Sequence, residues 1–511
     1  MALFGNIIKG LIDFKGYITN EVDPISAQQE VLKNMLTEAQ NTEFGKYYKF
    51  KEILNAENME EVFSNFVPYF DYNKINEEWW HRYHKGEENI TWPGAPKFFA
   101  LSSGTTGKTS KRIPISDEMI DAIKQAGIRQ IVSLSNFDFE ADLFEKEIMM
   151  LGSSTNLKQR ENFEEGEISG ISVKNIPFWF RNYYKPGEEI SKIEDWEERI
   201  QAIAENAEKW DIGAISGIPT WIELMLKRVI EHHNLNNIHE IWPNFQVFTS
   251  GGVAFGSYEK SFNALLGHPI TVIDTYFASE GFIASQTRPE TDAMQLIVDS
   301  GIYYEFVPFL PEYIQEDGSL NKNAPSITLK DVQLNQEYVL IVSTVSGAWR
   351  YEIGDTIEFT DIERAEIKIT GRTKFFLNVA GSQLSVNKMD DAMKQIESEF
   401  STQITEYTVC AKRAEDGEFY HYWYIGTEDE VDAEKVSESI DAYLQSVNKN
   451  YKVARGKALK GLKIKLIPTT VFHEWNAENK KKGGQVKMEK VMSEKKFGKF
   501  EEFCNNGNAI K

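Results

Sequence analysis

The chain has 511 residues, of which 41% are hydrophobic and 26% charged, and a formal net charge of −22. That length calls for two or three folded units, and so acidic a chain lacks the basic footprint that nucleic acid binding needs. No apolar run approaches the roughly 18 residues of a membrane span, and two cysteines, Cys410 and Cys504, make no disulfide framework and fit the reducing cytoplasm.

Residues 1–20 read as a short amphipathic helix, in which Lys9, Asp13 and Lys15 break up any signal-peptide core. Ile25, Val31, Leu32, Met35 and Leu36 fall near helical spacing and predict a helix over 24–40. Residues 97–101 predict a strand and 111–116 a second short one. Between them runs Ser102-Ser103-Gly104-Thr105-Thr106-Gly107-Lys108-Thr109-Ser110. Glycines let backbone N–H groups approach an anion, hydroxyls add donors, and Lys108, Lys111 and Arg112 offset charge, so the loop suits polyphosphate. Gly107-Lys108-Thr109 ends like a P-loop, but that motif needs a glycine where Ser102 stands, and a strand running into a helix. A strand–loop–strand layout predicts a flap over phosphates; a plain polar hairpin turn is the alternative.

Ser116 predicts the N-cap of a helix carrying Met119, Ile120, Ile123 and Ala126. Trp196, Ile200, Ile203, Ala204 and Ala207 predict an amphipathic helix. A strand over 212–215 precedes Gly217-Ile218-Pro219 and a helix through Trp221, Leu224, Met225 and Val229. A strand over 245–248 leads into Ser250-Gly251-Gly252, and one over 270–276 into Phe277-Ala278-Ser279-Glu280-Gly281. Strands alternating with helices predict an α/β fold with a mostly parallel sheet, which places ligands at the C-terminal ends of its strands. Residues 338–346 and 348–359 predict successive strands bearing Arg350, Gly354 and Asp355, and 367–370 another that ends in Gly371-Arg372. Past about residue 380 the pattern becomes helix (385–399), strands (405–413 and 418–426), helix (432–447) and a lysine-rich end, a smaller α+β domain. The joint falls near 371–381 and divides the chain into 1–375 and 376–511. His81/His84 and His232/His233 have no further ligands at zinc spacing.

The order of Ser-Ser-Gly-Thr-Thr-Gly (102–107), Thr-Tyr-Phe-Ala-Ser-Glu-Gly (275–281), Trp-Arg-Tyr-Glu-Ile-Gly-Asp (349–355) and Gly-Arg (371–372) resembles the adenylate-forming superfamily. That superfamily includes acyl-CoA synthetases, nonribosomal adenylation domains and luciferase. The chain is most similar to its auxin-responsive Gretchen Hagen branch of acyl-acid amido synthetases, in a bacterial form. The residues that carry this are the Gln28 to Lys46 stretch, Val67-Pro68, Trp242-Pro243 ahead of Gly251-Gly252, and Gly-Gly-Gln-Val-Lys at 483–487. The resemblance implies a large N-terminal adenylate-forming domain with mostly parallel sheets and a β-barrel-like part, plus a small mobile C-terminal domain. It also implies a two-step reaction: a carboxylic acid attacks the α-phosphate of ATP, and an amine, usually of an amino acid, then takes the acyl group and releases AMP.

The same resemblance distributes roles. Ser102, Ser103, Gly104, Thr105, Thr106, Gly107 and Lys108 would hold phosphates, and Glu280 would carry Mg²⁺, with a helix N-terminal carboxylate as its alternative reading. Ser279, beside that carboxylate, would contact the nucleotide. Asp355 would take the ribose hydroxyls, or else belong to an ordinary turn. Gly251, Gly252 and Tyr276 would flank adenine, Arg372 would touch ribose or phosphate at the hinge, and Lys487 would be a mobile catalytic lysine or one more surface lysine. Residues 217–221 and 128–134 are candidate acyl-pocket walls. Ala278, Gln383 and Glu489-Lys490 depart from the family's pattern of a second serine, a hinge lysine and Pro-Arg. The expected partners are a small carboxylic acid and an amino acid (or CoA), with no nucleic acid or membrane partner. An acyl-CoA synthetase, or a nucleotide-binding relative without turnover, is the alternative function.

Overall fold

The computed structural model describes residues 23–102, 111–252, 255, 258–315, 318–373, 384, 386–414, 419–455, 459–478, 488–492 and 494–505. The expected N-terminal amphipathic helix, most of the loop at 103–110 and most of the joint at 371–381 lie outside these residues.

Helix α1 (Pro24–Ala39) starts where Asp23 Oδ2 accepts the Ser26 N–H at 3.0 Å and proline occupies the first turn. It buries Val31, Leu32, Met35 and Leu36 as its spacing requires. Its Gln28 is buried too, and fully used: the amide donates to the carbonyls of Val298 and Ile302 and accepts the Tyr304 N–H. That glutamine ties the helix to a strand edge.

A four-stranded sheet has the order β2 (Lys111–Ile115), β1 (Phe98–Ser102), β5 (Glu164–Gly166), β4 (Lys158–Gln159). The large sheet has eleven strands. One half runs β6 (Tyr184–Lys185), β3 (Glu147–Leu151), β7 (Ile212–Gly217), β8 (Val247–Gly251), β9 (Thr271–Ala278), all pairs parallel. The other half continues from β9 through β10 (Gly281–Ser285), β11 (Met294–Leu296), β15 (Glu366–Arg372), β14 (Tyr351–Asp361) and β13 (Glu337–Thr344) to β12 (Ile302–Pro308), all pairs antiparallel. The α/β class and the smaller second lobe match expectation. The predominance of parallel pairing does not: every pair from β9 to β12 is antiparallel, beginning at the β9–β10 hairpin, whose short turn leaves no room for the crossover a parallel partner needs. The barrel-like part is this antiparallel half, an open continuation of the parallel one.

Helices α2 (Asp117–Ser133), α3 (Trp196–Asn206) and α4 (Pro219–His233) form where the sequence predicts them, and Ser116 Oγ accepts the Met119 N–H at 3.0 Å. Ile200, Ile203, Ile215, Ile222, Met225 and Phe248 pack α3 and α4 against the parallel half. The antiparallel half packs on an aromatic nucleus that includes Phe44, Phe50, Trp80 and Trp349. Each fully buried side chain of this size contributes about 1.5–3 kcal/mol.

Past residue 384 come α5 (Val386–Phe400), β16 (Glu406–Arg413), β17 (Phe419–Gly426), α6 (Ala433–Val447), β18 (Leu459–Ile467) and α7 (Glu494–Phe503). β17 is central, antiparallel to β16 and parallel to β18. Leu384, Met393, Val409, Trp423, Ile440 and Leu444 build a core separate from those of the large lobe. The sequence reading stopped at a lysine-rich end and missed β18 and α7. In β18 lysines alternate with apolar residues, so composition hid the period-2 pattern.

Candidate functional site

The C-terminal ends of the parallel strands line up: Leu151 pairs with Gly217, Gly217 with Ser250, and Gly251 with Thr275. Gly252 follows with φ at +77°, a conformation glycine adopts without strain. A side chain there would meet Ile218 at 3.4 Å, which puts the candidate acyl wall at 217–221 beside the candidate adenine wall. Trp221, farther along α4, packs edge-on against Trp196 with centroids 4.0 Å apart. The other candidate wall, 128–134, ends α2; there Arg129 pairs with Asp299.

β9 and β10 form a hairpin whose two-residue turn is Ser279-Glu280, closed by the Ala278–Gly281 pair. Glu280 is therefore a hairpin-tip carboxylate, and its alternative reading at a helix N-terminus falls. Gly281 has φ at +142°, and a Cβ there would lie 2.9 Å from Ile302 Cδ1 and 3.1 Å from Met119 Sδ. Glu280 is only 8% exposed. Burial pushes its carboxyl up to about 7; the Lys111 ammonium chiefly opposes that rise, Asp355 adds to it and Arg372 opposes it. Ser279 is half-buried.

Ser102 pairs directly with Lys111, so β1 and β2 bring both feet of the loop together and place Lys111 where its charge acts on Glu280. Ser103, Gly104, Thr105, Thr106, Gly107 and Lys108 lie outside the described residues, as does Lys487. Arg112, expected behind the loop as a phosphate-offsetting charge, is bound instead to Glu165 at 2.7 Å, and Glu165 also holds Arg160. The chain just past Lys487 is clipped to β16, where Val409 N–H donates to the Lys490 carbonyl and Met492 N–H to the Val409 carbonyl. Lys490 itself pairs with Glu406 at 2.7 Å.

Asp355 and Arg372 face each other across β14 and β15. Arg372 Nε donates to Asp355 Oδ1 at 2.5 Å, and the Tyr276 hydroxyl donates to Asp355 Oδ2. Asp355 raises the Arg372 pKa further, and burial first, then Asp355, raises that of Tyr276. Each carboxylate oxygen accepts more than one hydrogen bond, so Asp355, though tied on both oxygens, keeps capacity for two hydroxyls. Segments near residues 102, 111, 276, 280, 355 and 372 thus meet in one place. Among the described residues no group of three metal-ligating side chains occurs. Magnesium takes one or two carboxylates plus phosphate oxygens and waters, so a lone buried Glu280 fits the protein's share of such a site.

The sequence reading missed two tyrosines here. Tyr72 accepts the Arg112 N–H on its hydroxyl at 2.9 Å, and Tyr351 is buried within electrostatic reach of Glu280. Tyr351 lay inside a quoted motif, but nothing in its spacing marks a buried hydroxyl.

A fold with an open α/β sheet and a second small lobe is that of the adenylate-forming ligases, and this chain shares it. It superposes on a GH3.15 acyl acid amido synthetase with a TM-score of 0.74 at 15% identity, over 95% of this chain and 94% of that one. It superposes on 2-hydroxyisobutyryl-CoA ligase with a TM-score of 0.58 at 14% identity, over 94% and 92%. The GH3 family N-terminal, central and C-terminal domains match residues 19–204, 295–372 and 387–496, and the chain belongs to the GH3 family. Among curated relatives it is 23% identical to indole-3-acetic acid-amido synthetase GH3.4 of Arabidopsis thaliana, over 50% of this chain and 45% of that protein. It is 26% identical to the synthetase GH3.10 of the same plant, over 43% and 39%. The matched stretch spans less than half the length of these relatives. Among the described residues no helix is long and apolar enough to cross a membrane.

Proposed function

We propose that the chain is an ATP-dependent acyl-acid amido synthetase that works in the cytoplasm. In the first step a substrate carboxylate oxygen bonds to the α-phosphorus of ATP and pyrophosphate leaves. In the second an amine, from an amino acid, bonds to the acyl carbon, a proton departs and AMP leaves. Membership of the GH3 family supports this reading, and the observation that carries it is the meeting of Glu280, Lys111 and the Tyr276–Asp355–Arg372 array at one end of the sheet.

Asp355, held between Tyr276 and Arg372, presents its free lone pairs to the ribose hydroxyls. Gly251 and Gly252, lacking side chains, let adenine lie against the ends of β8 and β9, with Tyr276 beside it. Ser102 to Lys108 hold the phosphates, and Lys111 adds charge at the foot of that loop. Glu280 would hold Mg²⁺, which would supply charge neutralisation on the phosphoryl oxygens, and Ser279 contacts the nucleotide beside it. Lys487, on a small domain comprising 376–511, turns about the joint near 371–381 to serve the α-phosphate. The chemistry is positioning and electrostatics, in which one preorganised donor is worth about 3 kcal/mol.

Acid-dependent ATP–pyrophosphate exchange across a panel of carboxylic acids tests the reading. Wild type exchanges with at least one acid, and Glu280→Ala loses about 100-fold or more. Exchange with no acid overturns the proposal. Product mass separates amide from thioester and so decides between amine and CoA as acceptor.

A further inference from the structure

Tyr351 is 0% exposed, and its hydroxyl has no hydrogen-bond partner among the described residues. A buried hydroxyl left unpaired costs about 1–3 kcal/mol and calls for a physical explanation. The side chain cannot swing to find a partner. Its backbone pairs with Val342 on one side and bridges to Phe70 on the other. Its ring stacks on Trp80, centroids 5.8 Å apart at 30°.

Its surroundings are those of the site. After burial itself, the strongest influence on its ionisation is the charge of Glu280, followed by Tyr72, Asp71 and Arg372, and all but Arg372 keep the phenol protonated. Tyr72 marks the foot of the phosphate loop: it accepts the Arg112 N–H, and Lys111 Nζ stands 5.6 Å from its ring. Among the neighbouring donors, the Tyr276 hydroxyl and the Arg372 Nε–H are bound to Asp355 and the Arg112 Nε–H to Glu165. A rigid, unpaired phenol thus lies within electrostatic reach of Glu280, Tyr72 and Arg372.

We propose that Tyr351 is a binding residue for the polyphosphate of the magnesium nucleotide, its hydroxyl donating to a phosphoryl oxygen beside Glu280. This rests on the adenylating reading above and adds a donor to it.

Tyr351→Phe removes one oxygen and leaves the ring against Trp80, so the fold is retained. In thermal unfolding without ligand the variant matches or exceeds wild type, since an unpaired buried hydroxyl is gone. In calorimetry its affinity for MgATP falls about tenfold or more, while adenosine, which has no phosphate, binds as it does to wild type. In pyrophosphate exchange its KM for MgATP rises, and its KM for the acid is unchanged. MgATP affinity within about twofold of wild type overturns the proposal, whichever way the melting temperature moves. An equal loss for adenosine also overturns it, because the hydroxyl then serves the pocket's shape. Wild-type protein that binds no MgATP overturns the adenylating reading itself. Binding and exchange by wild type with an indifferent Tyr351→Phe variant overturns this inference alone.

Discussion

Glu280 must be ionised to hold a divalent cation, yet its burial pushes the carboxyl up to about 7. In the unfolded chain it titrates near 4.3. Between those values the folded state binds the proton and the unfolded state does not, so the neutral carboxyl's contribution is complete below about 4.3 and is lost as pH rises through about 7. At pH 8 the free protein carries a penalty on the order of 3 kcal/mol at this one group. Glu280→Gln is therefore expected to raise the melting temperature of the ligand-free protein at pH 8 and to change it far less at pH 4, while exchange is lost. Thermal unfolding at both pH values checks this, and equal shifts would show that the carboxyl is not held out of water. Arg350, in the same stretch as Asp355, has a different part. It is buried on Glu305 at 2.9 Å and also donates to the carbonyls of Ser64 and Val67 and to Ser326. Glu305→Gln leaves a guanidinium buried without its counter-charge and should cost about 3–5 kcal/mol in denaturant unfolding. The sequence shows Arg350 and Asp355 as equals in one motif. Their difference depends on Glu305, 45 residues away, which no local pattern marks.

The β9–β10 hairpin decides where Glu280 goes, and it removes the alternative reading of Glu280 at a helix N-terminus. A strand followed by a polar glycine-bearing stretch, in a chain of alternating strands and helices, reads as a strand-to-helix loop. What closes the hairpin is Gly281 at φ +142°, a conformation that costs other residues about 1–3 kcal/mol. The Ile302 and Met119 atoms a Cβ would meet are ends of flexible side chains and can give way, but the backbone cannot. Gly281→Ala should therefore lower stability by about 1–3 kcal/mol and, by tilting Glu280, reduce pyrophosphate exchange more than tenfold. Chemical denaturation and exchange measured together check this; full exchange in a destabilised variant would detach the hairpin's geometry from catalysis. Elsewhere local signals sufficed. The Ser116 cap, the spacing of α3 and the two strands β1 and β2 depend on neighbours within a few residues, and all of these formed. Pairing direction in the large sheet depends on connections across the whole chain and was only half legible.

At the scale of the molecule, the small lobe has cores of its own and touches the large one at points such as Lys388 Nζ, 3.8 Å from Glu337. The proposed joint predicts that the two lobes unfold in separable steps. Their buried titrating groups respond to acid in opposite senses. His421 lies fully buried on the central strand β17, and neither ring nitrogen has a partner among the described residues. Burial pushes its pKa down to about 3, against about 6.5 when unfolded. As pH falls below about 6.5 the unfolded state takes up a proton that the folded lobe refuses, so stability present above that pH drains away toward pH 3. At pH 5 the loss is about 2 kcal/mol. Acid thus weakens the small lobe through His421 while it favours the large lobe through Glu280. His421→Leu, which removes both orphaned nitrogens, should raise the small-lobe transition by about 2 kcal/mol more at pH 5 than at pH 8. MgATP should raise the large-lobe transition and leave the other nearly still. Scanning calorimetry of wild type and His421→Leu at the two pH values, with and without MgATP, separates these effects. A single transition that moves as one under acid and nucleotide would show that the lobes do not uncouple, and the turn about the joint proposed for Lys487 would lose its structural basis.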